Sequence, residues 1–232
     1  MILFILDFHA LTLPPVRAGM LAHHGRNLGM KEYQAENIRN IAVVGHGSEG
    51  KTTLVESMLY VSGAIDRQGR VEDGSTVTDF DAEETRRGIS ISAALAPLEW
   101  KGKKLNLVDV PGYFDFIGEM MGPLRVCEGA AIVVGSVSGV TVGAEKAWDN
   151  STRYGVSKCF IINQMDREHA DFQKVLGQLR DRFGTEVVPV LLPLGEGLNF
   201  KGVVNVLENK AYETSGCLLY TSDAADDLTR VD

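Results

Sequence analysis

Short apolar runs alternate with amphipathic stretches through the middle of the chain. The runs Ile41–Val44, Ala130–Val137 and Cys159–Asn163 are rich in branched side chains, which is typical of buried strands. The stretch Gly69–Ser90 is polar and predicts a long loop. The same pattern predicts further strands at Ile91–Trp100, Lys104–Val110 and Val187–Leu192, and helices at Thr52–Ser62, Phe116–Glu128, Val142–Tyr154 and His169–Phe183.

The alternation of strands and helices predicts the architecture. Strands that are apolar throughout are covered on both faces, and strands that are joined through helices run parallel. We therefore expect an α/β fold with a mostly parallel sheet and helices on both faces. Ligands of such sheets bind at the carboxyl ends of the strands, so the segments that follow the strands are the candidates for function.

Composition and charge narrow the class of protein. The chain has 232 residues, 44% of them hydrophobic, and a formal net charge of −8, which fits a soluble globular domain and disfavours a general nucleic-acid-binding surface. The three cysteines, Cys127, Cys159 and Cys217, form no CxxC pair, which disfavours a disulfide framework or a structural zinc site and fits the cytoplasm. No apolar run approaches the roughly 20 residues of a membrane span, so we expect no membrane segment.

A glycine-rich segment directly follows the first of these strands. It reads Gly45, His46, Gly47, Ser48, Glu49, Gly50, Lys51, Thr52 and Thr53, and it fits the pattern of a phosphate-binding loop. The glycines let backbone N–H groups surround an anion at the start of a helix. Lys51 would reach the outer phosphates of a nucleotide, and the Thr52 hydroxyl would bind Mg²⁺. The alternative is a glycine turn that carries a solvated lysine.

A second, weaker motif closes the strand Lys104–Val110. Asp109 ends this strand, and its carboxylate can hold the Mg²⁺ shell. Gly112 follows three residues later, and its amide can contact a γ-phosphate. Because many turns contain Asp and Gly, this motif gains weight only from its position at a strand end.

A third motif follows the strand Cys159–Asn163. It reads Asn163, Gln164, Met165 and Asp166, close to the guanine-reading pattern N-K-x-D, in which the Asp carboxylate accepts from two hydrogens of the base. Gln164 replaces the lysine whose stem covers the base, so we expect weaker binding with retained guanine preference. The alternative is a turn or a helix cap.

Taken together, the three motifs resemble the G domain of GTP-binding proteins, which is a P-loop NTPase fold. The segment Arg86–Ile91 is similar to the R-G-I-T-I signature of translational GTPases, with Ser90 at the position of the Mg²⁺-binding threonine. Asp109–Phe116 is similar to their D-T-P-G-H-V-D-F sequence, and Asn199–Val206 to the start of the insert subdomain of elongation factor G. The chain is therefore identified as a member of the elongation factor G family, in its group of elongation-factor-G-like paralogues.

The resemblance implies a GTPase switch. GTP and Mg²⁺ would hold Ser90 and Gly112 against the γ-phosphate, and hydrolysis to GDP and phosphate would release them. The implied catalytic residues are Lys51, Gly112 and Tyr113, and the implied metal ligands are Thr52, Ser90 and Asp109. Tyr113 occupies the position of the family's catalytic histidine, so we expect slow turnover.

The resemblance also implies the partners of the protein. We expect it to act on the ribosome in the cytoplasm, through the full-length parent protein, without a membrane and without a stable homo-oligomer. Two alternatives stay open: a GTP-dependent regulatory module with little turnover, and a P-loop ATPase.

The predicted organisation has four parts. Residues 1–29 form a leader that is disordered or precedes a true start at Met30, and residues 30–198 form the G domain without its last base-contacting loop. Residues 199–214 begin the insert subdomain. Residues 215–232 resemble the translation of a transposase sequencing adapter, with a natural disordered acidic tail as the alternative. On this organisation we expect the chain as written to bind GTP weakly.

Overall fold

A computed structural model of this chain describes residues 3–7, 32–215 and 218–223, with side chains from residue 32 to residue 213. The rest of the predicted leader (1–29) and of the predicted tail (215–232) lies outside the described residues. The four-part organisation therefore stays a prediction.

The described elements follow one another in the predicted α/β order. The strands are β1 (Leu3–Asp7), β2 (Ile38–Gly45), β3 (Ala94–Trp100), β4 (Lys103–Asp109), β5 (Gly129–Gly135), β6 (Ser157–Asn163), β7 (Val187–Pro189), β8 (Leu191–Leu194), β9 (Gly202–Asn205), β10 (Lys210–Ser215) and β11 (Leu218–Asp223). The α-helices are α1 (Lys51–Val61), α2 (Ala82–Arg87), α3 (Met121–Val126), α4 (Val142–Arg153) and α5 (Phe172–Phe183), and 3-10 segments lie at Ala35–Asn37, Phe114–Met120 and Gly197–Asn199. None of the helices in the described part of the chain combines the length and the apolar character needed to cross a bilayer.

A seven-stranded sheet forms the centre of the fold, in the order β3-β4-β2-β5-β6-β1-β7. The strands β4, β2, β5 and β6 run parallel, whereas β3 pairs antiparallel with β4, and β1 pairs antiparallel with β6 and β7. The carboxyl ends of the parallel strands meet at one edge, which brings together the segments that follow β2, β4, β5 and β6. The prediction of an α/β fold with a mostly parallel sheet is confirmed.

Both faces of this sheet are buried. Successive side chains of a strand point to opposite sides, so each central strand contributes to an apolar cluster on either face. On one face, Val43, Val133 and Ile161 share an apolar cluster with Leu54 and Leu59 of α1. The cluster on the opposite face joins the alternate strand residues Ala42, Val44, Ile132, Val134, Phe160 and Ile162 to Ala144 and Ala147 of α4 and to Phe172, Val175 and Leu179 of α5. This two-sided burial explains the apolar runs within β2, β5 and β6.

A smaller antiparallel sheet contains the strands that follow β7, in the order β11-β10-β9-β8. Val203 of β9 is buried in the cluster that also contains α4 and α5. Leu191, Leu192 and Tyr212 pack against the same cluster. The small sheet therefore shares a core with the large one.

The predicted long loop Gly69–Ser90 is wrong in one part, because it contains the helix α2. Asp81 caps this helix: its carboxylate accepts from the Glu83 N–H at 2.7 Å, and Glu84 Oε2 accepts from the Asp81 N–H at 3.1 Å. This reciprocal arrangement is a capping box, a local signal that outweighs the polar composition of the segment. Gly88 ends the helix with a φ of 64°.

Other predicted boundaries also differ from the structure, among them the start of α5 at Phe172 instead of His169 and the end of β5 at Gly135 instead of Val137. The strand predicted at Ile91–Trp100 begins only at Ala94, because the N–H groups of residues 91 and 92 bond to Glu84 instead of to a strand. The helix predicted at Phe116–Glu128 begins as a 3-10 segment and ends at Val126.

The last predicted strand, Val187–Leu192, is divided between the two sheets as β7 and β8. Val190 lies between them, and its carbonyl accepts from the Val206 N–H at 2.8 Å. The chain therefore leaves the large sheet at this residue, a long-range contact that the local pattern does not encode.

Candidate functional site

The predicted phosphate-binding loop (the phosphate loop, residues 45–53) forms a tight loop between β2 and α1, at the carboxyl edge of the sheet. Gly45 has a φ of 139°, and a side chain there would overlap the carbonyl of Val133. Gly50 has a φ of 83° and caps α1, whose first N–H groups are left without intrahelical partners. Both positions therefore need glycine, the residue type that the predicted phosphate-binding loop has there.

Lys51 places a buried cation in this loop. Its side chain is 7% exposed, and its Nζ donates to the carbonyl of His46 at 2.7 Å. Burial lowers the pKa of Lys51, and the charges of Asp109, Glu49 and Asp79 oppose that shift in this order. A buried ammonium group of this kind gains more from a bound polyphosphate than an exposed one, because the local dielectric is low.

Two hydroxyl groups from distant parts of the sequence meet beside Lys51. Thr52 Oγ1 and Ser90 Oγ lie 3.1 Å apart, although 38 residues separate them in the chain. Glu84 positions Ser90, because its buried carboxylate accepts from the N–H groups of Ile91 at 2.9 Å and of Ser92 at 3.0 Å. The structure therefore brings together two of the three predicted metal ligands.

Asp109, the third predicted metal ligand, is buried close to the same place. Its Oδ2 accepts from Thr78 Oγ1 at 2.9 Å, and its Oδ1 has no partner among the described residues. Burial is the largest cause and raises the pKa of Asp109 from 3.8 to about 6. The nearby Thr52 hydroxyl, the charge of Lys51 and the Thr78 hydrogen bond only partly oppose this shift. A bound cation would favour the ionised form of this carboxylate.

Asp79 is a buried acid of this site that was not among the predicted site residues. This residue is 3% exposed and lines the same cavity as Thr52 and Ser90. Neither of its carboxylate oxygens makes a hydrogen bond of normal geometry in the described residues. Burial raises its pKa, and the nearby hydroxyls of Ser90 and Thr76 only partly oppose that shift. No sequence signal distinguishes it from the many other acidic residues of its loop.

Mg²⁺ fits this group of oxygens. The buried carboxylate oxygens of Asp79 and Asp109 that lack partners, together with two hydroxyls, are hard ligands of the type that Mg²⁺ prefers. No cluster of three His, Cys, Asp or Glu side chains with metal-binding geometry occurs in the described part of the chain. A cation held here would therefore complete its shell with water and with oxygens of a ligand.

Gly112 and Tyr113 follow β4 and lie against the phosphate loop. A side chain at Gly112 would overlap Lys51 Nζ, so only glycine permits this approach. The Tyr113 ring lies about 3.0 Å from where a Cβ on Gly47 would stand, and its hydroxyl is 3.3 Å from Ser48 Oγ. The phenol thus lies across the phosphate loop and is 39% exposed.

The segment after β6 also contacts the phosphate loop. Asn163 Nδ2 donates to the carbonyl of Glu49 at 2.9 Å, and Gln164 Nε2 donates to the carbonyl of Ser48 at 3.2 Å. Gln164 therefore lies against the loop through a neutral amide. Asp166 is exposed in the turn that the Arg167 N–H closes on the Gln164 carbonyl at 3.1 Å, at the same edge of the sheet as Lys51.

A cavity of about 350 Å³ lies between these segments, within the size range of small-molecule sites. The predicted site residues that line it are Gly47, Ser48, Gly50, Lys51, Thr52, Thr53, Ser90, Gly112, Tyr113 and Gln164. Those that do not line it are Gly45, His46, Glu49, Asp109, Asn163 and Asp166. Arg167 also lines it and was not predicted.

Two side chains of the phosphate loop point away from this cavity. The His46 ring packs against Phe114, with 5.6 Å between ring centroids, and lies close to Gly143. The Glu49 carboxylate is buried against Ser138. At these two positions the side chains pack against the segments that follow β4 and β5 and hold the loop in place.

Two comparisons with known proteins bear on this geometry. A family model described as the elongation factor Tu GTP binding domain matches residues 36–224. A crystal structure of a protein from Thermus thermophilus is similar over 83% of this chain, with a TM-score of 0.75 and 35% sequence identity. This chain spans 30% of the length of that protein. The matched range of the family model includes all three motifs that surround the cavity.

Proposed function

Because the chain belongs to the family of translational GTPases that contain the elongation factor Tu GTP-binding domain, we propose that it is the GTPase unit of an elongation factor G-like protein that acts on cytoplasmic ribosomes. One observation carries the proposal. The buried ammonium of Lys51, the paired hydroxyls of Thr52 and Ser90, and the turn that contains Asp166 lie at one edge of the sheet. A triphosphate and its base need these three features within the length of one nucleotide.

The proposed binding roles follow from the contacts. The amides of residues 45–52 surround the phosphates, and Lys51 neutralises part of their charge. Asp166 accepts hydrogen bonds from guanine, and Asn163 fixes the phosphate loop relative to that base site. The residues that would hold Mg²⁺ are Thr52, Ser90 and Asp109, with Asp79 beside them. Bound Mg²⁺ supplies neutralisation of charge on the β- and γ-phosphates.

Hydrolysis is attack of water on the γ-phosphate, with GDP and phosphate as products. The proposed part of Gly112 is to contact the γ-phosphate through its N–H, beside Lys51. Tyr113 is the next residue. A phenol has a single hydroxyl, whereas an imidazole has two ring nitrogens and can orient a water with one of them. We therefore propose slow turnover. The regulatory module with little turnover is the second candidate, favoured by the position of Tyr113 across the phosphate loop.

The binding proposal is tested by displacement of fluorescently labelled GDP from the 232-residue chain. GTP and GDP are expected to compete for the site, whereas ATP at a 100-fold higher concentration is expected to leave the label bound. A 100-fold difference in affinity corresponds to about 2.7 kcal/mol of binding free energy. Equal displacement by ATP would identify a P-loop ATPase and contradict the proposal.

Replacement of Tyr113 is expected to alter turnover and not affinity. Tyr113→His should increase ribosome-stimulated phosphate release by about 10-fold or more, because an imidazole can orient the attacking water. Tyr113→Phe should stay within about twofold of the wild type, since Ser48 is the one hydrogen-bond partner of the phenol oxygen among the described residues, at 3.3 Å. The measurement is single-turnover release of phosphate from GTP by the full-length parent protein, with and without ribosomes.

GDP affinity is the control in this experiment and is expected to be unchanged in both variants. Equal rates for the wild type and Tyr113→His in the presence of ribosomes would refute the proposed role of residue 113. Absence of any ribosome stimulation in all three proteins would favour the regulatory module.

A further inference from the structure

The phosphate loop contains an acidic residue, Glu49. Its neighbours Ser48 and Gly50 both line the cavity, but the Glu49 side chain does not, and it is only 4% exposed. A carboxylate in this position is at odds with the task of the loop, because a negative charge near bound phosphates repels them. Something must hold this charge away from the ligand.

Ser138 makes the contact that holds it. Its hydroxyl donates to the Glu49 carboxylate, with Oγ 2.9 Å from Oε1 and 3.0 Å from Oε2. Gly135 makes room for the carboxylate, since a side chain there would overlap Glu49 Oε2. Burial raises the pKa of Glu49, and the Ser138 hydrogen bond is the largest of the effects that oppose this shift, ahead of the charges of His46 and Lys51.

Hydrogen bonds join the turn that carries Ser138 to Asn163, at the end of β6, and to Gln164, which follows it. The Gly139 N–H donates to the Gly135 carbonyl at 2.9 Å and closes this turn. Ser136 Oγ donates to the Gln164 carbonyl at 2.7 Å, and the Ser136 N–H donates to the Asn163 carbonyl at 2.9 Å. Ser138 therefore lies in a turn that is held by three hydrogen bonds, and its hydroxyl can fix the direction of the Glu49 side chain.

We propose that Ser138 is a positioning residue that holds the Glu49 carboxylate beneath the phosphate loop, away from the phosphates of the nucleotide. The proposal rests on the proposed function of the chain as a GTP-binding unit. Loss of the hydroxyl removes the stronger of the two donors to this buried charge, leaving the Gly135 backbone, and frees the carboxylate to turn toward the ligand. The defect then comes from the charge of Glu49 and disappears when that charge is removed.

The test is a set of variants of the 232-residue chain, measured by their affinity for labelled GDP. Ser138→Ala is expected to weaken binding about 10-fold, the effect typical of losing one hydrogen bond to a charged group. Glu49→Gln is expected to bind at least as tightly as the wild type. The double variant with both substitutions is expected to bind within about threefold of Glu49→Gln, so that the second substitution rescues the first.

This rescue separates a role in holding the charge from a merely structural role. If Ser138 only stabilised its turn, the double variant would bind as weakly as Ser138→Ala, and that result would overturn the proposal. Unchanged affinity in Ser138→Ala would overturn it as well. Ser151→Ala is the matched control, because Ser151 is fully buried and its hydroxyl has no partner among the described residues. It should not alter GDP affinity.

The same experiment distinguishes a failure of the proposed GTP-binding function from a failure of the proposed role of Ser138. A wild-type chain that binds no GDP would overturn the proposed function together with the role of Ser138. A wild type that binds GDP, with variants that show no rescue, would overturn only the role of Ser138. Circular dichroism on each variant verifies that the compared proteins are folded.

Discussion

Asp166→Asn is expected to lower the preference of the site for guanine over adenine nucleotides by about 100-fold or more. In the proposed base site the carboxylate would accept from two hydrogens of guanine that adenine does not offer in that arrangement, and an amide would not accept both. Asp166 is exposed in the turn after β6, where it is free to meet a base. Phosphate contacts do not distinguish the bases, so the effect falls on selectivity.

The measurement is the ratio of GTP to ATP concentrations that displace labelled nucleotide from each protein. Glu168→Gln is the matched control, because Glu168 is an exposed acid close to the same turn, and its carboxylate lies as far as 4.0 Å from His169 Nε2. It is expected to keep the wild-type ratio. An Asp166→Asn protein that still prefers GTP as strongly as the wild type would show that another residue reads the base.

Asp109→Asn is expected to stabilise the nucleotide-free protein at pH 7 by up to about 3 kcal/mol. The pKa of this buried carboxyl is about 6 in the folded protein, above its ordinary value of 3.8. The free energy of unfolding of the wild type should therefore fall as the pH rises from about 4 to about 6, because the unfolded chain ionises first. An amide has no charge to bury, so the variant should lack this part of the pH dependence.

The same substitution is expected to remove the gain in GTP affinity that Mg²⁺ gives. A neutral amide is a weaker partner than a carboxylate for a divalent cation and its water shell. Urea unfolding from pH 4 to 8 measures the stability, and GTP titrations with Mg²⁺ or with EDTA measure the metal dependence.

Thr78→Val, at the residue that donates to Asp109, is expected to lower the free energy of unfolding, whereas Asp109→Asn is expected to raise it. Thr78→Val removes the hydroxyl that donates to Asp109 Oδ2 at 2.9 Å and is expected to destabilise the protein by about 1–3 kcal/mol. If Asp109→Asn instead destabilised the nucleotide-free protein and kept the Mg²⁺ effect, Asp109 would be a structural residue and not a metal-site residue.

Local patterns predicted most of the large sheet and its helices. The apolar runs at 41–44, 130–137 and 159–163 became β2, β5 and β6, because strands that are buried on both faces cannot carry polar residues. The prediction failed where a contact distant in sequence decided the outcome. An example is the division of Val187–Leu192 between the two sheets, where the Val206 N–H bonds to the Val190 carbonyl. The prediction also failed at the short helix α2, which a local capping box defines within a polar loop, and at residues 91 and 92, whose N–H groups bond to Glu84.

The sequence by itself determined which segments lie at the carboxyl edge of the sheet, since the motif that starts at Gly45 and the one that starts at Asn163 follow parallel strands whose periodicity is visible in the chain. Only the tertiary structure decided which side chains of those segments meet. Burial without a partner distinguishes Asp79 from its acidic neighbours, and the turn after β5 directs the charge of Glu49 toward Ser138. The physical reason is that periodicity reports the face on which a residue lies, whereas burial and hydrogen-bond partners depend on segments far apart in the chain.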